Sequence, residues 1–262
     1  MFKQIVELFC DRVFKFNPWE IQRNILEFKT ILQKKYINEN YLYNVVIEGQ
    51  PFVFSDSLFS NTVKIVTAEI ENYHFPKIEF KKDDCVIDIG ANVGMVSIYL
   101  AKKYPFLKIY AFEPVKQNYE NLCKNIKLNG IPKGKIIVEN KAVTADGRPV
   151  NMEINPSNLG NSKINVESNK TYDFACLQVQ SITLADIFRK YKINKCKLLK
   201  IDCEGAEYEI LKNAGESLKK CLSIRGEFHV FKAHGKTLKA AKELLNYVKK
   251  FIPDVEVTFL KG

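Results

Sequence analysis

Between residues 84 and 113 the chain runs strand, glycine-marked turn, helix, strand, and few folds accept that order. The apolar run Val86-Ile87-Asp88-Ile89 leads into Gly90-Ala91-Asn92-Val93-Gly94, and helical spacing begins at Met95. Nineteen residues beyond Gly94 a second apolar run, Ile109-Tyr110-Ala111-Phe112, ends in Glu113. Glycine at a strand-to-helix turn reaches positive φ and lets the backbone approach a ligand. Asn92 stands where such loops often carry glycine, and asparagine tolerates the left-handed region. An acid at the tip of the second strand can accept hydrogen bonds from a ribose diol.

The glycines read G-x-x-x-G rather than the G-x-G-x-x-G of dinucleotide sites, so no pyrophosphate cradle is evident. Asp88 would also oppose a diphosphate. A cationic adenosine-bearing cofactor fits better, and S-adenosylmethionine carries a sulfonium and an ammonium. An NAD-dependent enzyme on a similar sheet is weakened by the same loop pattern.

The chain has 262 residues, 46% of them hydrophobic, enough for one large domain with a small N-terminal addition. No apolar run approaches the roughly 20 residues that span a bilayer. Charged residues interrupt Met1 to Phe16 where a signal peptide would be apolar, and the chain reads as cytoplasmic, with no membrane partner. The seven cysteines are scattered with no C-x-x-C pair, which argues against a disulfide framework or a zinc ribbon. A net charge of +10 suits acidic partners, yet the lysines form only short runs with no aromatic-interleaved basic stripe.

Residues 3–16 and 20–36 have helical spacing, and 41–55 alternate like a hairpin with its turn at Glu48-Gly49-Gln50-Pro51. Together with a helix over 62–73 they form an expected N-terminal cap, residues 1–80. From residue 81 to 262 strands alternate with helices, which implies a doubly wound, mostly parallel α/β sheet. The spacing predicts strands at 85–89, 108–112, 136–143, 197–201, 221–230 and 255–260. Helices are expected at 95–103, 115–129, 183–191, 206–219 and 236–251. Asp146-Gly147 reads as a hairpin turn opening an insertion at 149–180.

A second dense segment, Leu198-Leu199-Lys200-Ile201-Asp202-Cys203-Glu204-Gly205-Ala206-Glu207, again ends an apolar strand in acids and glycine. Ligands in such sheets sit beyond the carboxyl ends of the strands, so Asp88, Glu113, Asp202 and Glu204 share one rim. Glu227 and His229 lie near the end of the next strand. Acids and a histidine gathered on one edge are costly unless a cation or a substrate proton uses them. Tyr73, His74 and Tyr172 are further candidates for lining a pocket.

Asp88-Ile89-Gly90-Ala91-Asn92-Val93-Gly94, Phe112-Glu113-Pro114, Ser181-Ile182-Thr183-Leu184-Ala185-Asp186 and Lys200-Ile201-Asp202-Cys203-Glu204-Gly205-Ala206-Glu207 together resemble the FkbM family of S-adenosylmethionine-dependent methyltransferases. The resemblance spans about residues 69–231 and implies a class I, Rossmann-like methyltransferase fold. It also implies O-methylation of a hydroxyl on a sugar or natural product. By it, Asp88, Gly90, Asn92 and Gly94 form the methionine-binding loop, Glu113 holds the ribose, and Asn140 to Ala142 line the adenine. Asp202 lies beside the transferred methyl, and Glu204, Glu207 and His229 face the acceptor. Glu227, by its place near the end of the same strand as His229, is a further substrate-binding candidate. This fold usually ends in a hairpin, whereas only one strand follows the last helix here.

Methyl transfer is an in-line displacement in which positioning does much of the catalysis, and a hydroxyl acceptor must lose its proton. Asp202 or His229 is the expected base, with Glu204 beside them. Asp202, Glu204 and Glu227 holding a divalent cation is the alternative; the metal-free version is expected, because carboxylates at strand ends also hold sugar hydroxyls. A ribose 2′-O-methyltransferase acting on RNA and a non-catalytic cofactor-binding scaffold are the competing readings. Cys203 lacks the context of a pyrimidine-attacking nucleophile, and flanking acids raise a thiol pKa.

Overall fold

The computed structural model describes residues 40–57, 62–154, 163–164, 175–231 and 235–261. The two helices expected before residue 40, and Tyr172, lie outside them. Strands β1 (Asn40–Ile47) and β2 (Gln50–Ser57) form the expected antiparallel hairpin. Helix α1 (Thr62–Glu69) and two 3-10 turns follow, and then β3 (Cys85–Ile89), α2 (Met95–Lys103), β4 (Lys108–Phe112) and α3 (Lys116–Leu128). Next come β5 (Ile136–Glu139), β6 (Ala142–Thr144), β7 (Val150–Ile154), β8 (Lys163–Ile164), β9 (Ala175–Val179) and β10 (Ser181–Thr183). The last part contains α4 (Leu184–Lys190), β11 (Cys196–Ile201), α5 (Glu207–Asn213), β12 (Cys221–Val230), α6 (Leu238–Val248) and β13 (Asp254–Lys261).

Six strands form one parallel sheet in the order β13-β12-β11-β3-β4-β5. Read from β5, this is the 3-2-1-4-5-6 order of doubly wound dinucleotide folds, and it reverses between β3 and β11. Alternate residues feed two apolar layers. Ile87, Ile89, Leu199 and Ile201 face α4, α5 and α6, while Val86, Ile109 and Leu198 face α1, α2 and the hairpin. Burial on both faces explains why the strands read as near-continuous apolar runs.

The structure corrects several boundaries. The strand expected over 136–143 breaks at Asn140 into β5 and β6, and β6 leaves the main sheet to pair in parallel with β10. Asp146-Gly147 is a turn, with Gly147 at φ 77°, but it does not join a hairpin. Strand β7 pairs instead with β8 and β9. Helix α5 stops at Asn213, and a 3-10 turn over Gly215–Lys220 replaces its expected second half. A single strand follows the last helix, as the sequence indicates, and this β13 lies parallel to β12 at the sheet edge. The Ser181–Asp186 motif has a local reason. Thr183 accepts a hydrogen bond from Asp186 N and donates one to Asp186 Oδ2, which caps α4.

The hairpin docks through asparagines. Asn125 Oδ1 accepts from Ser55 N at 2.6 Å, and its Nδ2 donates to Ser55 O at 3.0 Å and to Val93 O at 2.9 Å. One turn on, Asn129 accepts from Val53 N and donates to Val53 O. Spaced four apart on α3, the two amides act as the strand that β2 lacks on that side, and Asn125 also ties the hairpin to the Gly90–Gly94 loop. Asn125→Ala removes three partners from buried backbone groups, each worth about 1 kcal/mol or more. The expected loss is about 2–4 kcal/mol in urea unfolding.

Candidate active site

The loop after β3 is shaped by left-handed backbone that favours glycine and asparagine: Gly90, Asn92 and Gly94 have φ of 76°, 50° and 90°. A Cβ on Gly90 would stand 1.8 Å from the Asp202 carbonyl oxygen, and one on Gly94 would stand 2.0 Å from Leu122 Cδ1. The loop therefore packs directly against the start of the second acidic segment. Gly90 N and Ala91 N donate to Phe112 O, which folds the loop over the end of β4.

Glu113 follows at that end and is 4% exposed. Its Oε2 accepts from Asn92 N and its Oε1 from Val115 N, both at 2.8 Å. The Asn118 side chain is a third donor to this carboxylate, and with about four lone-pair sites on a carboxylate about one remains to accept from a ribose hydroxyl. Burial pushes the Glu113 pKa up to about 7, although the Val115 and Asn92 amides pull it down. A small cleft of about 60 Å³ opens here, lined by Gly90, Asn92, Glu113, Ala142 and others. It also brings in residues the sequence did not single out: Asn118, Val143 and Met152. Asn140 turns away from the cleft. Its amide donates to Glu113 O and Pro114 O and straps the β4 end in place, while Lys141, Ala142 and Val143 line the cleft beside it.

Asp88 is fully buried, accepts from Ser97 Oγ at 2.7 Å, and lies 3.4 Å from Lys200 Nζ. Lys200 is the residue sequence reasoning missed. On β11 it pairs in register with Asp88 on one side and Arg225 on the other, and Arg225 pairs with Glu256. Its ammonium donates to Gly90 O at 2.9 Å and reaches Asp202 at 3.8 Å. Burial alone would lower the Lys200 pKa, but Asp88, then Asp202 and Glu227, hold it above its ordinary value. Its sequence signal was a charge inside an apolar strand two residues before an acid.

On the other side of Asp202 the second cluster assembles as expected around His229. Nε2 of His229 lies 3.7 Å from Glu204, 3.9 Å from Glu227 and 4.0 Å from Asp202. Glu204 sits at φ 53°, and Tyr73 OH reaches Glu227 Oε1 at 3.5 Å. His74 instead pairs with Glu256 at the surface. Glu207 corrects its expected role. It is fully buried, and its Oε1 accepts from Cys203 N, Gly205 N and His229 Nδ1 at 2.9 to 3.1 Å. It therefore cannot face an acceptor, and it fixes the loop and the imidazole ring. Burial would lower the His229 pKa, but Glu207 foremost, then Glu204 and Asp202, raise it to about 9. Cys203 is held well above the usual thiol range by burial, Glu207 and Asp202, which leaves it a thiol rather than a nucleophile.

Among the described residues no helix is long and apolar enough to cross a membrane. Methyltransferase sdnD of Sordaria araneosa is 31% identical over 157 residues, which cover 50% of this chain and 60% of that protein. Hexuronic acid methyltransferase AglP of Haloferax volcanii is 23% identical over 152 residues, 58% of each chain. The chain thus spans about three fifths of the length of each. A putative rRNA-methylase from Clostridium thermocellum superposes at a TM-score of 0.42 and 9% identity over 68% of this chain and 77% of its own, too remote to bear on function. The family model described as the methyltransferase FkbM domain matches residues 88–252. That range takes in both constellations, the cofactor loop with Glu113 and the Asp202–Glu207 segment with His229, and the chain belongs to the FkbM family of S-adenosylmethionine-dependent methyltransferases.

Proposed function

We propose that the chain O-methylates a hydroxyl of a saccharide or small polyhydroxylated natural product. The observation that carries this reading is the contact between the two half-sites. Gly90 of the cofactor loop packs on the Asp202 carbonyl, and Asp202 opens a cluster of hydrogen-bond acceptors around His229. Carboxylates in such a cluster suit hydroxyl donors, and a relative named for hexuronic acid points to the same acceptor class.

The residues present fit the cofactor: a cleft lined by Gly90, Asn92 and Glu113 at the ends of β3 and β4, and a buried Glu113 with about one lone-pair site left for a ribose hydroxyl. When bound, S-adenosylmethionine would supply an electrophilic methyl carried on a sulfonium leaving group. Gly90 and Asn92, in the loop that Gly94 closes, would hold the methionine end, Glu113 the ribose, and Ala142 with its neighbours the adenine. Asp88, expected to touch the cofactor, is fully buried behind the loop against Ser97 and Lys200 and would support the loop from there. Asp202 takes the hydroxyl proton. His229 is protonated at neutral pH because Glu207 holds it so, and it steadies the negative charge on the oxygen. Glu204 and Glu227 accept hydrogen bonds from neighbouring acceptor hydroxyls.

Because a diol donates to the ionised carboxylate, cofactor binding should favour deprotonated Glu113. With its pKa at about 7, affinity should rise with pH through neutrality and be about tenfold weaker at pH 6 than at pH 8. Calorimetry with S-adenosylhomocysteine checks this; an affinity flat across that range contradicts it. The reaction itself is tested by following the labelled methyl of S-adenosylmethionine into a panel of glycosides and into RNA. The reading expects product among the glycosides and none with Asp202→Ala. Transfer to RNA alone, with salt-dependent binding, would replace it by ribose methylation.

A further inference from the structure

We infer that Asp202, Glu227 and His229 form a binding site for one divalent first-row transition ion, of the Mn²⁺ type, at the acceptor end of the cleft. The inference rests on the reading above for its role, but its geometry stands alone. One ligand atom from each residue lies within 4.8 Å of the other two. His229 is 5% exposed, and its Nε2 faces the carboxylates of Asp202, Glu204 and Glu227. Asp202, Glu204 and Glu227 stand 3.7 to 4.0 Å from Nε2, outside hydrogen-bonding range. Acids paired with an imidazolium would be expected to close to about 2.8 Å. Acids arranged around a shared ion at about 2.1 Å from each donor stay apart, as these do.

The far side of the ring supplies the second observation. Glu207, fully buried, accepts from His229 Nδ1 at 2.9 Å and lies outside the three ligands. A carboxylate on the second nitrogen fixes the tautomer and orientation of a metal-binding histidine and raises its basicity. One imidazole nitrogen with two carboxylates suits a borderline ion better than Ca²⁺, which takes only oxygen. Bound there, the ion would take the acceptor hydroxyl as a further ligand and lower its pKa. The ion would displace the proton that His229 otherwise carries on Nε2, and the hydroxyl proton would pass to Glu204, since Asp202 is a ligand. This departs from the metal-free expectation of the sequence.

The test titrates full-length, chelator-stripped protein with MnCl₂, following free Mn²⁺ by electron paramagnetic resonance. One saturable equivalent is expected. Asp202→Asn and Glu227→Gln should each weaken binding at least tenfold, and Glu207→Gln about 10- to 100-fold, as outer partners do. Glu216→Gln, at an exposed surface ion pair, should change nothing. Absence of saturable binding, or binding unaltered in Asp202→Asn and Glu227→Gln, overturns the site. S-adenosylhomocysteine titrated into the same stripped protein separates the two claims. Cofactor binding without Mn²⁺ binding removes this site alone, and Mn²⁺ binding without cofactor binding removes the methyl-transfer reading alone.

Discussion

Gly90→Ala should abolish cofactor binding and destabilise the fold by about 3–5 kcal/mol, the sum of a left-handed backbone and an overpacked contact. The new Cβ would lie 1.8 Å from the Asp202 carbonyl, a backbone atom that cannot rotate away. That carbonyl belongs to the segment whose amide is tied to Ile89 O at 3.1 Å, so β3 and β11 would have to part at their carboxyl ends. The cofactor loop and the acceptor cluster meet at that seam, and both should be disturbed. Gly130→Ala is the matched control. Gly130 also has positive φ, at 65°, but nothing lies within 4 Å of its Cβ position, so the cost should be about 1–2 kcal/mol of backbone strain. Urea unfolding of the two variants checks the difference; equal losses would mean that strain alone, and not the seam, makes Gly90 necessary.

Lys200→Met should cost about 3–5 kcal/mol, because it leaves Asp88 buried without its cation. Asp88 is fully buried, and its remaining side-chain hydrogen bond is the one from Ser97. The Gly90 carbonyl loses its donor as well. Adding Asp88→Asn to Lys200→Met should recover part of the loss, since the uncompensated charge goes with it. A double-mutant cycle measures this, with a coupling of at least about 1 kcal/mol expected. A coupling near zero would show that the lysine holds only the carbonyl and Asp202.

What the sequence disclosed was local. The turn after β3 and the acid after β4 could be read because glycine, asparagine and glutamate have restricted roles at strand ends, and those roles depend on a few adjacent residues. Lys200 and Arg225 could not be read. Both lie inside apolar strands and are stabilised by residues on neighbouring strands, so sheet register alone reveals the row Asp88–Lys200–Arg225–Glu256. The asparagine spacing on α3 was visible, but its partner, the free edge of β2, lies some 70 residues away in the chain. Glu207 was misread for a related reason. An acid in the first turn of a helix can point outward or reach back to cap the preceding loop, and here the buried amides of Cys203 and Gly205 decide it. Asp146-Gly147 makes the turn its residues favour, but tertiary pairing chose which strands it connects.

The central claim is that the loop after β3 and Glu113 hold an S-adenosyl cofactor, and a calorimetric titration with S-adenosylhomocysteine, with NAD as control, tests it most directly. The account predicts saturable one-to-one binding that Glu113→Ala removes while circular dichroism shows the variant still folded, and no heat from NAD. Binding that survives Glu113→Ala, or NAD binding in place of the sulfur nucleotide, would contradict it.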